Sequence, residues 1–246
     1  MPQDHGGVEV RRAGDRFVTR GDGLESRHSF SFGSHYDRDN LGHALLVAHN
    51  DDTIRPGAGY PTHPHRDLEI LTWVVEGGLR HEDSAGNAGV VVPGLAQRLS
   101  AGRGVQHSEL NDAGSGREVR FVQMWVPPDD PGLEPSYAQR DVTADLAPDQ
   151  LVPVASGAAR HRPDTGVRIH NAAATLHVAR LRPGASVMVP DAPYVHLFVA
   201  RGAGDLEAAG RLQNGDAARL TGAGSRRFTA ADDGVELLVW EMHRTR

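Results

Sequence analysis

Two short segments far apart in the chain carry the residue types of a metal site: His63-Pro64-His65 and His107-Ser108-Glu109. In extended chain, residues two apart project to the same side, so each segment can present its pair of side chains to one point. Three imidazoles and a carboxylate suit a divalent transition metal such as Fe(II), Mn, Ni, Cu or Zn, and an octahedral ion held by four such ligands keeps open positions. Open positions imply chemistry rather than a structural clip. Glu69 continues the parity of His65 and is a further carboxylate expected at the same point. The chain has no cysteine, which removes thiolate ligands, disulfides and a cysteine nucleophile and leaves nitrogen and oxygen as the donors.

In a chain with 14 histidines a single His-x-His means little; the second device, His107-Ser108-Glu109, gives the first its weight. Of the other histidines, His28, His35, His43 and His49 read as unpaired, with His43 and His49 expected at exposed strand ends. His161, His170, His177, His196 and His243 are scattered singly through the second half. His81, just before Asp83, is a candidate for supporting a ligand from behind.

Positioning such residues needs strands. The runs His43–His49, Leu68–Val75, Val90–Val92 and Val119–Val126 read as strands in the first half. Thr175–Leu181, Val187–Val189, His196–Ala200, Ala217–Leu220 and Val235–Met242 do so in the second. Between them stand turn sequences such as Gly77-Gly78, Pro93-Gly94 and Asn214-Gly215, and 29 glycines and 15 prolines fit that punctuation. Asp141–Gln150 is the best short helix candidate. Many short strands at even spacing predict an all-β fold of sandwich or jelly-roll barrels. The Pro- and Asp-rich stretch Val126–Thr143 reads as the crossover between two β-domains. Trp73–Gly78 echoes Phe198–Gly202, each a strand running into a glycine turn, which suggests duplication. The expected division is an N-terminal metal-binding domain at 1–135 and a C-terminal domain without metal ligands at 136–246.

The net charge of −6 argues against direct nucleic-acid binding, and every cationic side chain is arginine, with no arginine cluster in sequence. No apolar run reaches the ~20 residues of a membrane span. Met1–Gly7 shows neither the cationic start nor the apolar stretch of a secretory signal, so a cytoplasmic protein is expected.

The stretch Gly57–Glu69 resembles the first cupin motif, and Thr62–Gly89 followed by Ala101–Glu109 resembles the pirin family. Leu24–Phe32 and Tyr36-Asp37 are similar to that family's opening hairpin. The resemblance is strong over about residues 8–140 and a matter of general pattern beyond about 160. It implies two tandem cupin barrels, with one metal, usually iron as Fe(2+), on His63, His65, His107 and Glu109. Glu69, a ligand in many other cupins, is then a reserve carboxylate. It further implies a quercetin 2,3-dioxygenase type of reaction, in which O2 opens the oxygen-bearing ring of a flavonol and carbon monoxide leaves. Glu109 or Glu69 would take the hydroxyl proton. Phe30, Phe32 and Trp73 are candidates to stack on the small aromatic substrate. The family also implies an alternative, a metal- or redox-dependent regulator that binds a transcription factor or metabolic enzyme. A cupin enzyme with another small-molecule substrate is a third reading. A monomer is expected, because two such halves can pack on one another.

Overall fold

A computed structural model describes residues 7–161 and 165–246; all of Met1–Gly7 except Gly7 lies outside them. The fold is all-β. The first strands are β1 (Gly7–Arg11), β2 (Phe17–Gly21), β3 (Leu24–His28), β4 (Ala48–Ile54) and β5 (Gly59–His65). They are followed by β6 (Glu69–Glu76), β7 (Leu79–Asp83), β8 (Ala88–Val91), β9 (Leu95–Ser100) and β10 (Val105–Leu110). Next come β11 (Val119–Val126), β12 (Ser136–Asp141), β13 (Leu151–Ser156), β14 (Val167–Arg168) and β15 (Ala174–Leu181). The last are β16 (Ser186–Met188), β17 (Tyr194–Leu206), β18 (Gly210–Gln213), β19 (Ala217–Thr221) and β20 (Arg227–Met242).

In the first half a seven-stranded sheet, β12-β9-β6-β11-β4-β3-β2, stands with a four-stranded sheet, β5-β10-β7-β8. The second half is a nine-stranded sheet along β1-β19-β17-β20-β15-β13-β14, with β16 on β20 and β18 on β17. Strand exchange ties the halves together. The N-terminal β1 pairs antiparallel with β19 in the second half, while β12, beyond residue 135, pairs with β9 in the first. The Pro- and Asp-rich crossover is therefore partly strand, over Ser136–Asp141.

Strand parity explains the core. In β6 all residues but the last are buried, because both faces are covered. Leu71, Trp73 and Val75 join Val122, Met124 and Val126 of β11 against Leu176, Val178, Phe198, Leu238 and Trp240 of the second half. Ile70 and Val74 point the other way, into smaller clusters inside the first half. At ~25 cal/mol per Å2 of apolar surface removed from water, this shared core is the main bond between the halves. Hydrogen bonds fix its register: Trp73 Nε1 donates to Glu236 Oε1 (2.8 Å), and Arg120 to the carbonyl of Ala200 (2.9 Å).

Two local expectations are corrected. Asp141–Gln150 forms turns rather than a helix, with Pro148 and the β12 end at Asp141 leaving no room for one. The predicted strand His43–His49 begins only at Ala48, and His49 is fully buried rather than at an exposed end. Its ring lies 4.7 Å from that of His196 and 4.6 Å from Phe198, because the second half covers that face of β4.

Candidate metal centre

The small sheet carries the site. β5 is its edge, which is why Pro61 and Pro64, lacking N–H groups, are tolerated in a strand. His63 and His65 are half-buried while Pro64 between them is exposed, as the parity requires. On the neighbouring β10, Val105, His107 and Glu109 are buried and alternate with exposed or half-buried residues. His107 pairs directly with His63, but Glu109 pairs with Tyr60, so Pro61 and Thr62 together stand against Ser108 alone. This bulge re-aims β5 beside the site. Gly59 allows the close approach: a Cβ there would meet the Glu109 carbonyl oxygen at 2.2 Å.

The three imidazoles converge. Ring centroids are 4.5 Å apart for His63–His107, 4.8 Å for His63–His65 and 4.9 Å for His65–His107. Their ligand atoms lie within 4.8 Å of one another. Donors standing about 2 Å from a common ion are at most about 4 Å apart, so these atoms are gathered to within roughly an ångström of a ligand set. A second triad meeting the same limit is His81, His107 and Glu109. His107 belongs to both. Glu109 therefore adjoins the histidine cluster through His107 rather than standing equidistant from all three rings.

His81 on β7, opposite Glu109, is the residue that sequence reasoning undervalued. It is fully buried, stacks on Tyr137 at 4.9 Å, and its Nε2 faces Asp83 Oδ2 at 3.3 Å. The available signal was its spacing: His81 and Asp83 repeat the two-apart device of His107 and Glu109.

The chemistry of the donors fits a metal. Both ring nitrogens of His107, Nε2 of His65 and Nδ1 of His81 are buried without a hydrogen-bond partner. Such groups normally find one. His63 Nδ1 is 2.8 Å from the carbonyl of Pro61, the contact that fixes a ligand imidazole's tautomer and leaves Nε2 as its donor. Burial, then the neighbouring imidazoles, holds His107 down at about 2, and burial followed by His63 holds His65 at about 4. Both rings are thus neutral, the form that binds a cation.

Glu109 is 1% exposed, and burial raises its carboxyl to about 7 against the opposing hydrogen bonds from the Gln123 amide. Gln123 of β11 also accepts from Trp125 Nε1 at 3.0 Å, and the Trp125 ring meets His65 edge-on at 4.9 Å. Phe32 packs on Trp125 at 5.2 Å. An open depression of about 670 Å3, lined by Pro64, His65, Arg66, Ser84 and Gln106, leads to His65. Phe32 is thus near the site, whereas Phe30 and Trp73 are buried in the core between the halves.

Glu69 lies elsewhere. Its Oε2 accepts from Ser100 Oγ (2.8 Å) and the His170 backbone N–H (3.1 Å). The parity that linked it to His65 breaks at Asp67, whose φ of 51° turns the chain from the small sheet into the large one. Glu69 then shares the face of Leu71 and Trp73, toward the second half.

Comparison with known proteins agrees with this fold. The Pirin family profile matches residues 8–126. A Mycobacterium tuberculosis protein, provisionally named a quercetin 2,3-dioxygenase, is 54% identical over 236 residues, covering 96% of this chain and 95% of that protein. The Escherichia coli K12 protein named quercetin 2,3-dioxygenase is 42% identical over 133 residues, 54% of this chain and 57% of its own. The crystal structure of the Escherichia coli bacterial pirin YhhW in complex with nickel(II) superimposes with a TM-score of 0.85 at 29% identity, covering 97% of this chain and all of that one. Among the described residues no helix is long and apolar enough to cross a membrane.

Proposed function

The chain belongs to the pirin family, and on that premise we propose that it is a metal-dependent dioxygenase of the quercetin 2,3-dioxygenase type, acting on a flavonol-like aromatic and O2. The residues to hold the ion are His63, His65, His107 and Glu109, and the ion in this reading is Fe(2+). One observation carries the proposal. Three imidazoles, two of them with buried and unpartnered nitrogens, converge beside a buried carboxylate, and one of the three, His65, lines an open depression. When bound, the metal supplies Lewis acidity toward the substrate hydroxyl and a means of bringing substrate electrons and O2 together.

The protein's own groups have separable tasks. Glu109 accepts the hydroxyl proton at a carboxylate oxygen, in a buried site where no bulk water competes for it. Gln123 holds that carboxylate with its amide, so that the oxygens do not swing away. Trp125, its ring against His65 and backed by Phe32, is the aromatic face beside the ligands that a planar ring would meet. The depression along Pro64 and Gln106 is the approach, and its volume suits a small aromatic ligand.

Iron-loaded protein under air should bleach a flavonol's absorbance and release one carbon monoxide per flavonol consumed. Fully metallated protein that leaves several flavonols intact removes the dioxygenase reading. His65→Ala should lose its metal by elemental analysis while its circular dichroism stays that of a β-protein; retained metal takes His65 out of the ligand set.

A further inference from the structure

A second polar cavity, of about 180 Å3, opens at the seam between the halves and is separate from the histidine cluster. Arg16, Phe17, His28, Ser29 and Asn40 line it from the first half, and His196 and Arg219 from the second. Arg16 is the anomaly. Its side chain is 3% exposed, and its Nε, Nη1 and Nη2 all lack a hydrogen-bond partner. A buried guanidinium is expected to be paired, because desolvating it uncompensated costs several kcal/mol. The nearest carboxylate, Asp51, is 3.8 Å away and already receives two hydrogen bonds of 2.9 Å from Arg120. The face of Phe198 lies under Arg16 at 4.7 Å and adds a cation–π contact, but no acceptor.

The other groups repeat the pattern. Arg219 uses Nη2 on the Ser29 carbonyl (2.9 Å) and Asn40 Oδ1 (2.7 Å), but its Nε is buried and unpartnered. Its ion pair is with Glu9, at 3.7 Å, and Glu9 is half exposed. Both ring nitrogens of His196 are buried without a partner. Of the remaining charges around the cavity, Arg12 is taken up by Asp216 at 2.8 Å and Arg11 by Glu9. Two further carboxylates line it: Asp15, which is exposed, and Asp37, whose Oδ1 accepts from the Asp39 N–H. Burial holds both Arg16 and Arg219 down at about 10. The seam thus concentrates unanswered donors from both halves on one small volume.

We infer that this cavity is a binding site for a small oxyanion, a carboxylate or a phosphate, gripped by the Arg16 guanidinium with Arg219 Nε and His196 completing the donor set. A planar fork of N–H groups matches two oxygens of one such anion, and charge-assisted bonds of this kind are about twice as strong as neutral ones. Water would satisfy the donors but not the charge. Because its ligands come from both halves, the bound anion ties them together. The inference is independent of the metal centre and of the reaction proposed for it.

The test follows the arginine Nε–Hε signals of the full 15N-labelled chain during titration with inorganic phosphate, with acetate, and with chloride at matched ionic strength. Saturable shifts of the Arg16 and Arg219 signals with phosphate or acetate, and not with chloride, are expected. Which of the two saturates at lower concentration identifies the source. In Arg16→Met the Arg219 response should weaken at least ~10-fold, the size of one lost charge-assisted pair. That variant loses no hydrogen bond on Arg16 and should melt no lower than the parent in anion-free buffer. Arg16→Lys, which keeps the charge without the fork, should bind between the two. No saturable shift with either oxyanion, or an equal Arg219 response in Arg16→Met, overturns the site.

Discussion

Gln123 Nε2 stands 2.8 Å from one carboxylate oxygen of Glu109 and 2.7 Å from the other, both residues fully inside the first half. One amide on the large sheet thus sets the orientation of a carboxylate on the small one. The same glutamine accepts from Trp125, whose ring meets His65, so a single side chain connects both arms of the centre.

Gln123→Leu keeps the volume but removes the amide, leaving the Glu109 carboxylate buried with less support. Metal affinity should fall on the order of 10–100-fold, as when the group behind a ligand is lost. Competition with a chelator of known affinity measures it. Unchanged affinity would detach Glu109 from the metal.

His107 is common to both triads, so His107→Ala should empty the centre. His81→Ala should retain the metal with about 10-fold weaker binding, the effect of a supporting residue. Stoichiometry by elemental analysis separates the cases. Should His81→Ala come out empty while His63→Ala stays loaded, the ion belongs to the His81, His107 and Glu109 triad instead.

Glu69→Ala leaves the Ser100 hydroxyl and the His170 N–H without their acceptor at the contact between halves. Unfolding free energy should drop by about 1–3 kcal/mol, the cost of such unmet groups. Metal content should stay at the parent's level. Denaturant titration and elemental analysis on one preparation read both, and a metal-free but equally stable variant would return Glu69 to the centre.

Burial would push the Glu241 carboxyl up, but hydrogen bonds from His177 (2.9 Å) and His243 (2.8 Å) outweigh it and hold the group at about 2, against an ordinary 4.5. A carboxylate depressed in this way adds stability that is complete above pH 4.5 and is lost as pH falls through about 2. Melting temperature measured across that window should therefore fall less steeply in Glu241→Gln than in the parent, and Glu241→Gln should be the less stable protein at neutral pH. Parallel acid limbs would show that the pairing does not stabilise the fold.

Much of the scaffold was legible because apolar strands announce themselves. Val119–Val126 is a strand with the same bounds in sequence and structure, and Leu68–Val75 is displaced by one residue. The polar strands were not. β5, with two prolines, and β10, with His107 and Glu109, owe their extended form to pairing with each other. β4 reads as polar (AHNDDTI) yet is almost wholly buried, since sheets from both halves close over it.

The chain alone determined which atoms could serve as ligands and that each pair, at a spacing of two, would share a side; both follow from the absence of cysteine and from backbone geometry. Only the tertiary structure decided the rest. A turn at Asp67 aimed Glu69 toward the other half, and strand pairing put His81 opposite Glu109. Packing of the halves buried Arg16 and His196 around one cavity. Parity holds only within an unbroken strand, and what lies across a sheet or a seam depends on partners tens to hundreds of residues away.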